Sequence, residues 1–432
     1  MSREMKDSGV EWIGEIPEDW DVKRIKHAVV QMGSGTTPNS DNSNFYDGNI
    51  AWIQSGDLYN TPIITKTSKT VTEQAIQRCS ALKIYHKPYI VIAMYGASVG
   101  NVSIASIDAC TNQACCIIKP NDNNNIDYLK YWLEVCKTDF IRKSVGGGQP
   151  NISQDKVREQ TYLCPSPTEQ QQIVHFLDRK CTAIDTAIEK TKKSIEKLEE
   201  YKKAVITKAV TKGIDPNAKM KDSGVEWCPQ IPEHWSVVNP KALFSQRTER
   251  ILPGDKQLTA SQEHGIIYQD EYTKATGSRV VAVIRDFSIL KHVEPNDFVI
   301  SMRSFQGGLE YSEKRGCISS AYVMLIPNTK YVYPPFYRWF FKSSKYINAL
   351  QSTSNFVRDG QAMRYSHFIQ IPLFVIPLTE QKQIANYLES KVNAIMVLIQ
   401  KKQMAIAKWE EYKKSLIYYA VTGKIDCRNE VI

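Results

Sequence analysis

Apolar residues recur at alternating spacings of four and three in two long, otherwise polar stretches, one near the middle of the chain and one near its end. This seven-residue period is typical of a coiled coil, in which one stripe of a helix packs against another helix. The pattern therefore predicts two long helices that pack on each other. The stripe residues are Leu177, Ile184, Ile188, Ile195 and Leu198 in the first stretch and Leu388, Ile395, Ile399, Ile406 and Trp409 in the second.

Two segments of the chain occur twice. Met5–Trp12 and Met220–Trp227 both read MKDSGVEW, and Glu199–Asp215 returns with few changes as Glu410–Asp426. Such identity at two places indicates two copies of one unit. A duplicated chain can fold with approximate two-fold symmetry. This symmetry makes the predicted helix pair antiparallel and brings the two ends of the chain close together.

Two variable regions with the same order of patterns separate the duplicated segments. In the first, the strand-like Tyr89–Tyr95 precedes an amphipathic helix near Asp127–Lys143; in the second, the strand-like Asp297–Met302 precedes a helix near Pro335–Gln351. We predict a mixed α/β fold in which two domains are joined by two long helices that form an antiparallel coiled coil, as a pseudo-two-fold internal repeat. The predicted boundaries are 1–166 and 215–377 for the domains and 167–214 and 378–426 for the helices.

Composition narrows the function classes only a little. The formal net charge is +9, from 55 Lys and Arg against 46 Asp and Glu, which permits a polyanionic partner without requiring one. The ten cysteines form no C-x-x-C pair, so free thiols in a reducing compartment are favoured over a disulfide framework or a zinc site. We find no apolar signal core and no apolar run of bilayer length, and we expect a cytoplasmic protein without a membrane segment.

Catalytic and cofactor motifs are missing from the sequence. Gly96–Gly100 (GASVG) lacks the Lys and hydroxyl residue that a phosphate-binding loop requires. Tyr333–Phe336 (YPPF) has Tyr where adenine methyltransferases carry Asn or Asp, and no glycine-rich S-adenosylmethionine loop accompanies it. We therefore predict a chain that is not catalytic by itself, with no metal site and no cofactor of its own.

Recognition of DNA is the chemistry that the variable regions suggest. Arg reads guanine edges, Asn and Gln read adenine, and Lys mostly contacts phosphate. Each such residue, taken alone, is better explained as an ordinary surface cation than as a base reader; the groups carry more weight than their members. The candidate DNA-binding residues are Lys83, Lys87, Tyr95, Arg142, Lys143, Gly147, Gln149 and Asn151 in the first region and Arg303, Ser304, Gln306, Arg358, Gln361 and Arg364 in the second.

The helix starts and one glycine-rich segment carry a family resemblance. The helices open with TEQQQI at Thr168–Ile173 and TEQKQI at Thr379–Ile384, and the first region contains GSGTTP at Gly33–Pro38 and IAWIQSGD at Ile50–Asp57. With the duplicated layout, these motifs strongly resemble the specificity subunit of type I restriction–modification systems. The second region lacks the G-x-T-P segment (Phe244–Gly254 stands there), so we expect the two domains to read unrelated sequences.

The resemblance implies a division of labour within a larger complex. Each variable region would be a target recognition domain that reads one half of a bipartite, asymmetric site in double-stranded DNA. The helices would set the spacer between the halves and dock two methyltransferase subunits, and restriction subunits would join the full complex. S-adenosylmethionine would bind the methyltransferase and not this chain.

Two other classes of function remain open from the sequence. The first is a coiled-coil scaffold whose globular ends bind protein partners. The second is a fused enzyme with a cryptic active site. DNA binding that weakens with salt would distinguish recognition from the scaffold, and an assay of the isolated chain with S-adenosylmethionine or magnesium would test for the enzyme.

Overall fold

Two structural units divide the chain, one formed by residues 1–190 together with 404–432 and the other by residues 191–403. The computed structural model describes residues 3–144, 150–278, 287–302, 304–353 and 363–429. Strands and helices alternate in both units, and two helices are far longer than the rest. The predicted mixed α/β fold with two long helices is confirmed.

The first unit is built around a five-stranded sheet. The strands of the whole unit are β1 (Met5–Asp7), β2 (Glu15–Pro17), β3 (Asp21–Arg24), β4 (Val29–Ser34), β5 (Tyr46–Ile53), β6 (Ile63–Ile64), β7 (Lys69–Val71), β8 (Tyr89–Ala93), β9 (Val102–Ala105), β10 (Ala109–Thr111), β11 (Cys115–Pro120) and β12 (Thr161–Cys164). Its helices are α1 (Glu73–Arg78), α2 (Ile126–Val135), α3 (Lys137–Lys143), α4 (Gln154–Arg158) and the first part of α5 (Pro167–Lys212). The large sheet has the order β4-β11-β8-β9-β6, and a smaller one has the order β10-β5-β7.

Strand β8 lies between two layers of apolar side chains. All five of its residues are buried. Ile90 and Ile92 belong to the core that includes the long helices, whereas Tyr89, Val91 and Ala93 belong to a second core on the other face. Successive side chains of a strand point to opposite faces, so a strand covered on both sides reads as a continuous apolar run.

The amphipathic stretch predicted near Asp127–Lys143 is interrupted, which corrects the expectation of one helix. Helix α2 ends at Val135 and α3 begins at Lys137. Between them the N–H of Cys136 donates to the carbonyls of Trp132 and Glu134, which tightens the backbone locally. The core is unaffected, because Trp132 is still fully buried and its Nε1 donates to the Thr161 carbonyl at 2.7 Å.

The second unit repeats this plan with smaller sheets. Its strands are β13 (Met220–Asp222), β14 (Gln230–Pro232), β15 (Ser236–Val238), β16 (Phe244–Arg247), β17 (Leu258–Ser261), β18 (Gly265–Tyr268), β19 (Lys291–Val293), β20 (Phe298–Ile300), β21 (Glu310–Tyr311), β22 (Gly316–Ile318), β23 (Val323–Pro327) and β24 (Leu373–Val375). Its helices are α6 (Gln269–Thr276), α7 (Ser304–Gly307), α8 (Pro334–Phe340), α9 (Ser344–Ser352), α10 (Tyr365–Phe368) and the first part of α11 (Leu378–Val421). The main sheet has the order β16-β23-β20-β21 and is antiparallel.

The helix predicted near Pro335–Gln351 is also two helices. Ser343 stands between α8 and α9, and its hydroxyl donates to the Phe340 carbonyl at 2.7 Å. A serine side chain that bonds a nearby carbonyl competes with the helical hydrogen bonds, so the first helix ends there. Tyr337 of α8 and Phe341, which directly follows α8, nevertheless pack against Phe244 of β16, with ring centroids 5.3 Å and 5.4 Å from that of Phe244.

The long helices α5 and α11 pack antiparallel within each unit. In the first unit the early part of α5 meets the late part of α11, and Lys413 Nζ lies 2.7 Å from Asp185 Oδ2. In the second unit the late part of α5 meets the early part of α11, and Lys202 Nζ contacts Met396 Sδ at 3.5 Å. Most of the predicted stripe is buried, including Leu177, Ile184, Ile188, Leu388, Ile395 and Ile399.

Trp409 departs from the predicted stripe, because 41% of it is exposed. Leu416 and Ala420, which continue the same stripe, are buried. Ile195, Leu198 and Ile406 are half-buried. The periodicity therefore predicted the helices correctly and the burial of Trp409 wrongly.

Two further features bear on the function classes considered above. All ten cysteines are free thiols, and burial raises the pKa of Cys110 to about 12 and that of Cys116 to about 12, which disfavours the reactive thiolate. No helix in the described ranges is both long enough and apolar enough to cross a membrane.

Candidate nucleic-acid interface

A polar cleft of about 390 Å³ opens beside the glycine-rich segment of the first unit. Lys83, a predicted site residue, lines it together with Gln31 at the edge strand β4 and Gln154 at the start of α4. Amide groups offer a donor and an acceptor to a base edge, and an ammonium offers a donor to phosphate. Gln31 and Gln154 are functional candidates that the sequence did not indicate. The complete lining is Gln31, Met32, Gly33, Ser34, Ser80, Ala81, Lys83, Tyr85 and Gln154.

The glycines of the GSGTTP segment are required by close packing. A Cβ added to Gly35 would lie 1.8 Å from the carbonyl oxygen of Thr111, and one added to Gly33 would lie 2.6 Å from the Tyr85 hydroxyl. Thr37 Oγ1 donates to Gln113 Oε1 at 2.7 Å. The segment is thus locked against residues 111–113, which fixes one wall of the cleft.

Tyr95 and Asn151 are brought together across a loop. Their backbones form an antiparallel bridge, the N–H of Gly96 donates to the Pro150 carbonyl at 2.8 Å, and the N–H of Ile152 donates to the Met94 carbonyl at 2.9 Å. Both Tyr95 and Asn151 are exposed. The predicted Gly147 and Gln149 lie outside the described residues.

Arg142 and Lys143 are already paired with a carboxylate. Arg142 Nη2 lies 2.7 Å from Asp139 Oδ1, and Lys143 Nζ lies 2.6 Å from Asp139 Oδ2. Burial alone would raise the pKa of Asp139, but the hydrogen bonds from Lys143 and Arg142 lower it overall. Part of their charge is therefore compensated within the protein. Lys87 keeps an exposed side chain, while its N–H donates to Asp108 Oδ1 at 2.9 Å.

The candidates of the second unit have different outcomes. Arg303, Arg358 and Gln361 lie outside the described residues. The prediction of Ser304 as a DNA-binding residue is corrected, because this residue is only 1% exposed. Its Oγ accepts a hydrogen bond from the N–H of Ser301 at 2.8 Å and so stabilises the turn before α7. Gln306 and Arg364 present exposed side chains.

One groove of the second unit is lined by cations that carboxylates of the protein already pair with. It has a volume of about 640 Å³ and lies between the β17–β18 hairpin, α8 and the long helices. Lys342 Nζ lies 2.6 Å from Glu310 Oε1, Lys314 Nζ lies 2.7 Å from Glu271 Oε2, and Arg338 pairs with Glu389. A groove whose cations are neutralised in this way is a poor match for a phosphate backbone.

A buried cluster joins a loop of the second unit to β19. His292 Nδ1 lies 2.7 Å from Asp255 Oδ2, and His292 Nε2 lies 2.7 Å from Glu294 Oε1. Arg315 approaches Asp255 at 3.4 Å. Within the described part of the chain, no group of His, Cys, Asp and Glu is arranged to hold a metal ion. We assign this cluster a structural role.

Each long helix also presents an exposed tyrosine to solvent. Tyr201 in α5 and Tyr412 in α11 occupy the same place in the duplicated EEYKK segment, and they are 48% and 51% exposed. Trp409 packs beside Tyr412 with ring centroids 6.4 Å apart. Core packing does not account for identity at exposed positions, and exposed aromatic side chains favour a protein partner.

Comparisons with known proteins agree with this architecture. The family described as type I restriction modification DNA specificity domain matches residues 17–200. The type I restriction enzyme MjaIX specificity subunit of Methanocaldococcus jannaschii is 34% identical over 192 residues, which are 44% of this chain and 43% of that subunit. The putative MjaX specificity subunit of the same organism is 24% identical over 96% of this chain and 95% of its own length.

Solved structures share the fold over nearly the whole chain. A structure that describes the complex assembly and conformational transition of the type I R-M system aligns with a TM-score of 0.71 at 13% identity, covering 95% of this chain and 99% of that one. The HsdS subunit from Thermoanaerobacter tengcongensis aligns with a TM-score of 0.52 at 14% identity, covering 95% and 98%. These matches show a shared fold, and the family model and the relatives from Methanocaldococcus jannaschii agree with the family resemblance that the helix-start and glycine-rich motifs carry.

Proposed function

We propose that the chain is a specificity subunit of the type I restriction–modification family. In this role it selects the DNA sequence on which its partner subunits act. The observation that carries the proposal is the near full-length match to such subunits, combined with two units of one plan whose surfaces differ. Each recognition domain reads one half of a bipartite, asymmetric duplex site. The chain supplies recognition and no catalysis. S-adenosylmethionine binds the methyltransferase. The complex works in the cytoplasm with its restriction subunits.

The two half-sites are read by different side chains. In the first unit, Gln31 and Gln154 of the cleft suit the donor–acceptor edge of adenine, and Lys83 suits phosphate. In the second unit, Gln306 and Arg364 are the exposed candidates. Because the sets differ, the target is not a palindrome.

The test is methylome sequencing of cells that express this chain with its methyltransferase, compared with cells that express the methyltransferase alone. The expected result is a split motif, methylated at adenine on both strands, that depends on the chain. If no such motif forms although the methyltransferase is present and folded, the recognition function is excluded and the scaffold function is favoured.

The long helices set the spacer between the two half-sites. The first part of each long helix belongs to one unit and its last part to the other. A helix rises about 1.5 Å per residue. We therefore expect the spacer to depend on the length of the helices.

Four residues inserted in both helices, between Lys190 and Thr191 and between Gln403 and Met404, are expected to lengthen the spacer. Four residues add about 6 Å of helix, and base pairs stack about 3.4 Å apart, so the spacer grows by about one to two base pairs. Methylome sequencing measures the spacer directly. Unchanged spacing with a folded protein would contradict the role of the helices.

The duplicated exposed face of the helices docks two copies of the methyltransferase. Tyr201 belongs to the second unit and Tyr412 to the first, so each unit presents one copy of the EEYKK surface. Two equivalent surfaces suit two copies of one partner. Aromatic side chains at the centre of an interface carry a large share of its binding free energy.

Tyr412→Asp is expected to reduce the number of bound methyltransferase subunits from two to one, and Tyr201→Asp with Tyr412→Asp to abolish tight binding. Loss of an interface hot spot costs about 2 kcal/mol, which is about thirtyfold in affinity. Native mass spectrometry counts the subunits. Tyr59→Asp, at an exposed tyrosine of the first unit, is the control. Retention of two subunits by the double variant would exclude this surface.

A further inference from the structure

The residues Glu-Gln that open each long helix contact the recognition domain of the same unit. In the first unit Gln170 is fully buried. Its Oε1 accepts the N–H of Asn125 at 2.7 Å, and its Nε2 donates to the carbonyls of Asn123 at 3.2 Å and Pro165 at 3.0 Å. The side chain thus joins the start of α5 to the start of α2.

Gln381 makes the same three hydrogen bonds in the second unit. It is also fully buried. Its Oε1 accepts the N–H of Tyr333 at 2.8 Å, and its Nε2 donates to the carbonyls of Tyr331 at 2.8 Å and Ile376 at 2.7 Å. The start of α11 is thereby joined to the start of α8.

The preceding glutamate bonds to the opening segment of its unit. Glu169 Oε2 accepts from Trp20 Nε1 at 3.0 Å and pairs with Arg3. Glu380 Oε2 accepts from Trp235 Nε1 at 3.1 Å and lies 2.7 Å from His234 Nε2. Each helix start is therefore held from two sides, by the domain and by the segment that enters it.

These contacts specify an orientation. A buried amide that satisfies one N–H and two carbonyls at fixed points leaves the domain little freedom to rotate about the helix start, because any rotation breaks buried hydrogen bonds. The same contacts recur in two units whose variable surfaces differ. Their retention therefore reflects what both units share, which is attachment to the helices.

We propose that Glu169–Gln170 and Glu380–Gln381 are positioning residues that hold each recognition domain at a fixed angle to the helices and so restrict the accepted spacer length. This inference rests on the proposed function. The residues do not contact DNA; they act through the domains that they orient.

The test compares Gln170→Glu and Gln381→Glu with Gln171→Glu and Gln383→Glu, which lie on exposed positions of the same helix turns. Glutamate keeps the acceptor for the N–H but has no donor for the two carbonyls, and its charge faces them. We expect unchanged half-site sequences and, at targets whose spacer is one base pair longer or shorter, methylation that rises about tenfold or more over wild type, because each lost hydrogen bond accounts for a factor of up to about ten. The controls should match wild type.

Trp20→Phe and Trp235→Phe provide a milder second pair, because each removes only the indole donor to the glutamate and keeps an aromatic ring in the core. A purely structural role would lower thermal stability and leave the spacer distribution unchanged, and that result in folded variants would overturn the inference. If the wild-type chain itself yields no split motif, the proposed function fails instead. The two failures are thus distinguishable.

Discussion

Replacement of residues 22–165 by the equivalent segment of another specificity subunit is expected to change one half of the methylated motif completely and to leave the other half intact. Both cut points lie in one small sheet, since Val22 of β3 is paired with Leu163 of β12. The new domain therefore enters and leaves at neighbouring strands. Gln170 bonds only backbone groups of the domain, so it can hold a graft of a different sequence.

The matched exchange is residues 237–376 of the second unit, where Val237 of β15 is paired with Phe374 of β24. It should change the other half of the motif and spare the first. Methylome sequencing of the two chimeras reads both results. A chimera that is folded and bound to methyltransferase, but whose motif changes in both halves, would show that the domains do not read independently.

Phe244→Ala is expected to lower the stability of the second unit strongly. Phe244 is 1% exposed and packs against Phe298, Tyr337, Phe341 and Phe368. Removal of a buried phenylalanine side chain costs about 3–5 kcal/mol, from lost burial and the cavity left behind.

Calorimetry of the full chain measures this effect, because two units need not unfold in one transition. The transition of the second unit should move to lower temperature while that of the first stays in place. Phe287→Ala is the control, since 46% of Phe287 is exposed and surface substitutions cost within about 0.5 kcal/mol. Equal shifts for the two variants would contradict the assignment of Phe244 to the core.

Local patterns in the sequence predicted the elements of the fold well and their ends less well. The heptad pattern indicated both long helices, because a coiled-coil stripe is a local signal. It placed Trp409 in the stripe because the period alone does not show which stripe positions other parts of the chain cover. The break at Cys136 depends on the path of one backbone turn, which amphipathicity does not encode.

The residues of the candidate site were harder to predict from the sequence, because long-range packing brings them together. Gln31 and Gln154 share a cleft although they are far apart in the sequence. The pairing of Arg142 and Lys143 with Asp139 is local, but whether a helical carboxylate captures neighbouring cations depends on its burial. The duplicated TEQ and EEYKK segments contained a usable signal, because identity between the repeats indicates the residues that we propose attach the domains and face a partner.

The division of the chain between the units has a consequence for biosynthesis. The second unit is contiguous, so all of its residues have been synthesised once residue 403 has left the ribosome. The first unit begins the chain, yet its core is completed by Leu416, Ile417, Ala420 and Val421. Domains generally fold as their residues emerge, and here the unit translated first closes last. A product that ends before these residues therefore leaves part of the apolar core of its first unit uncovered.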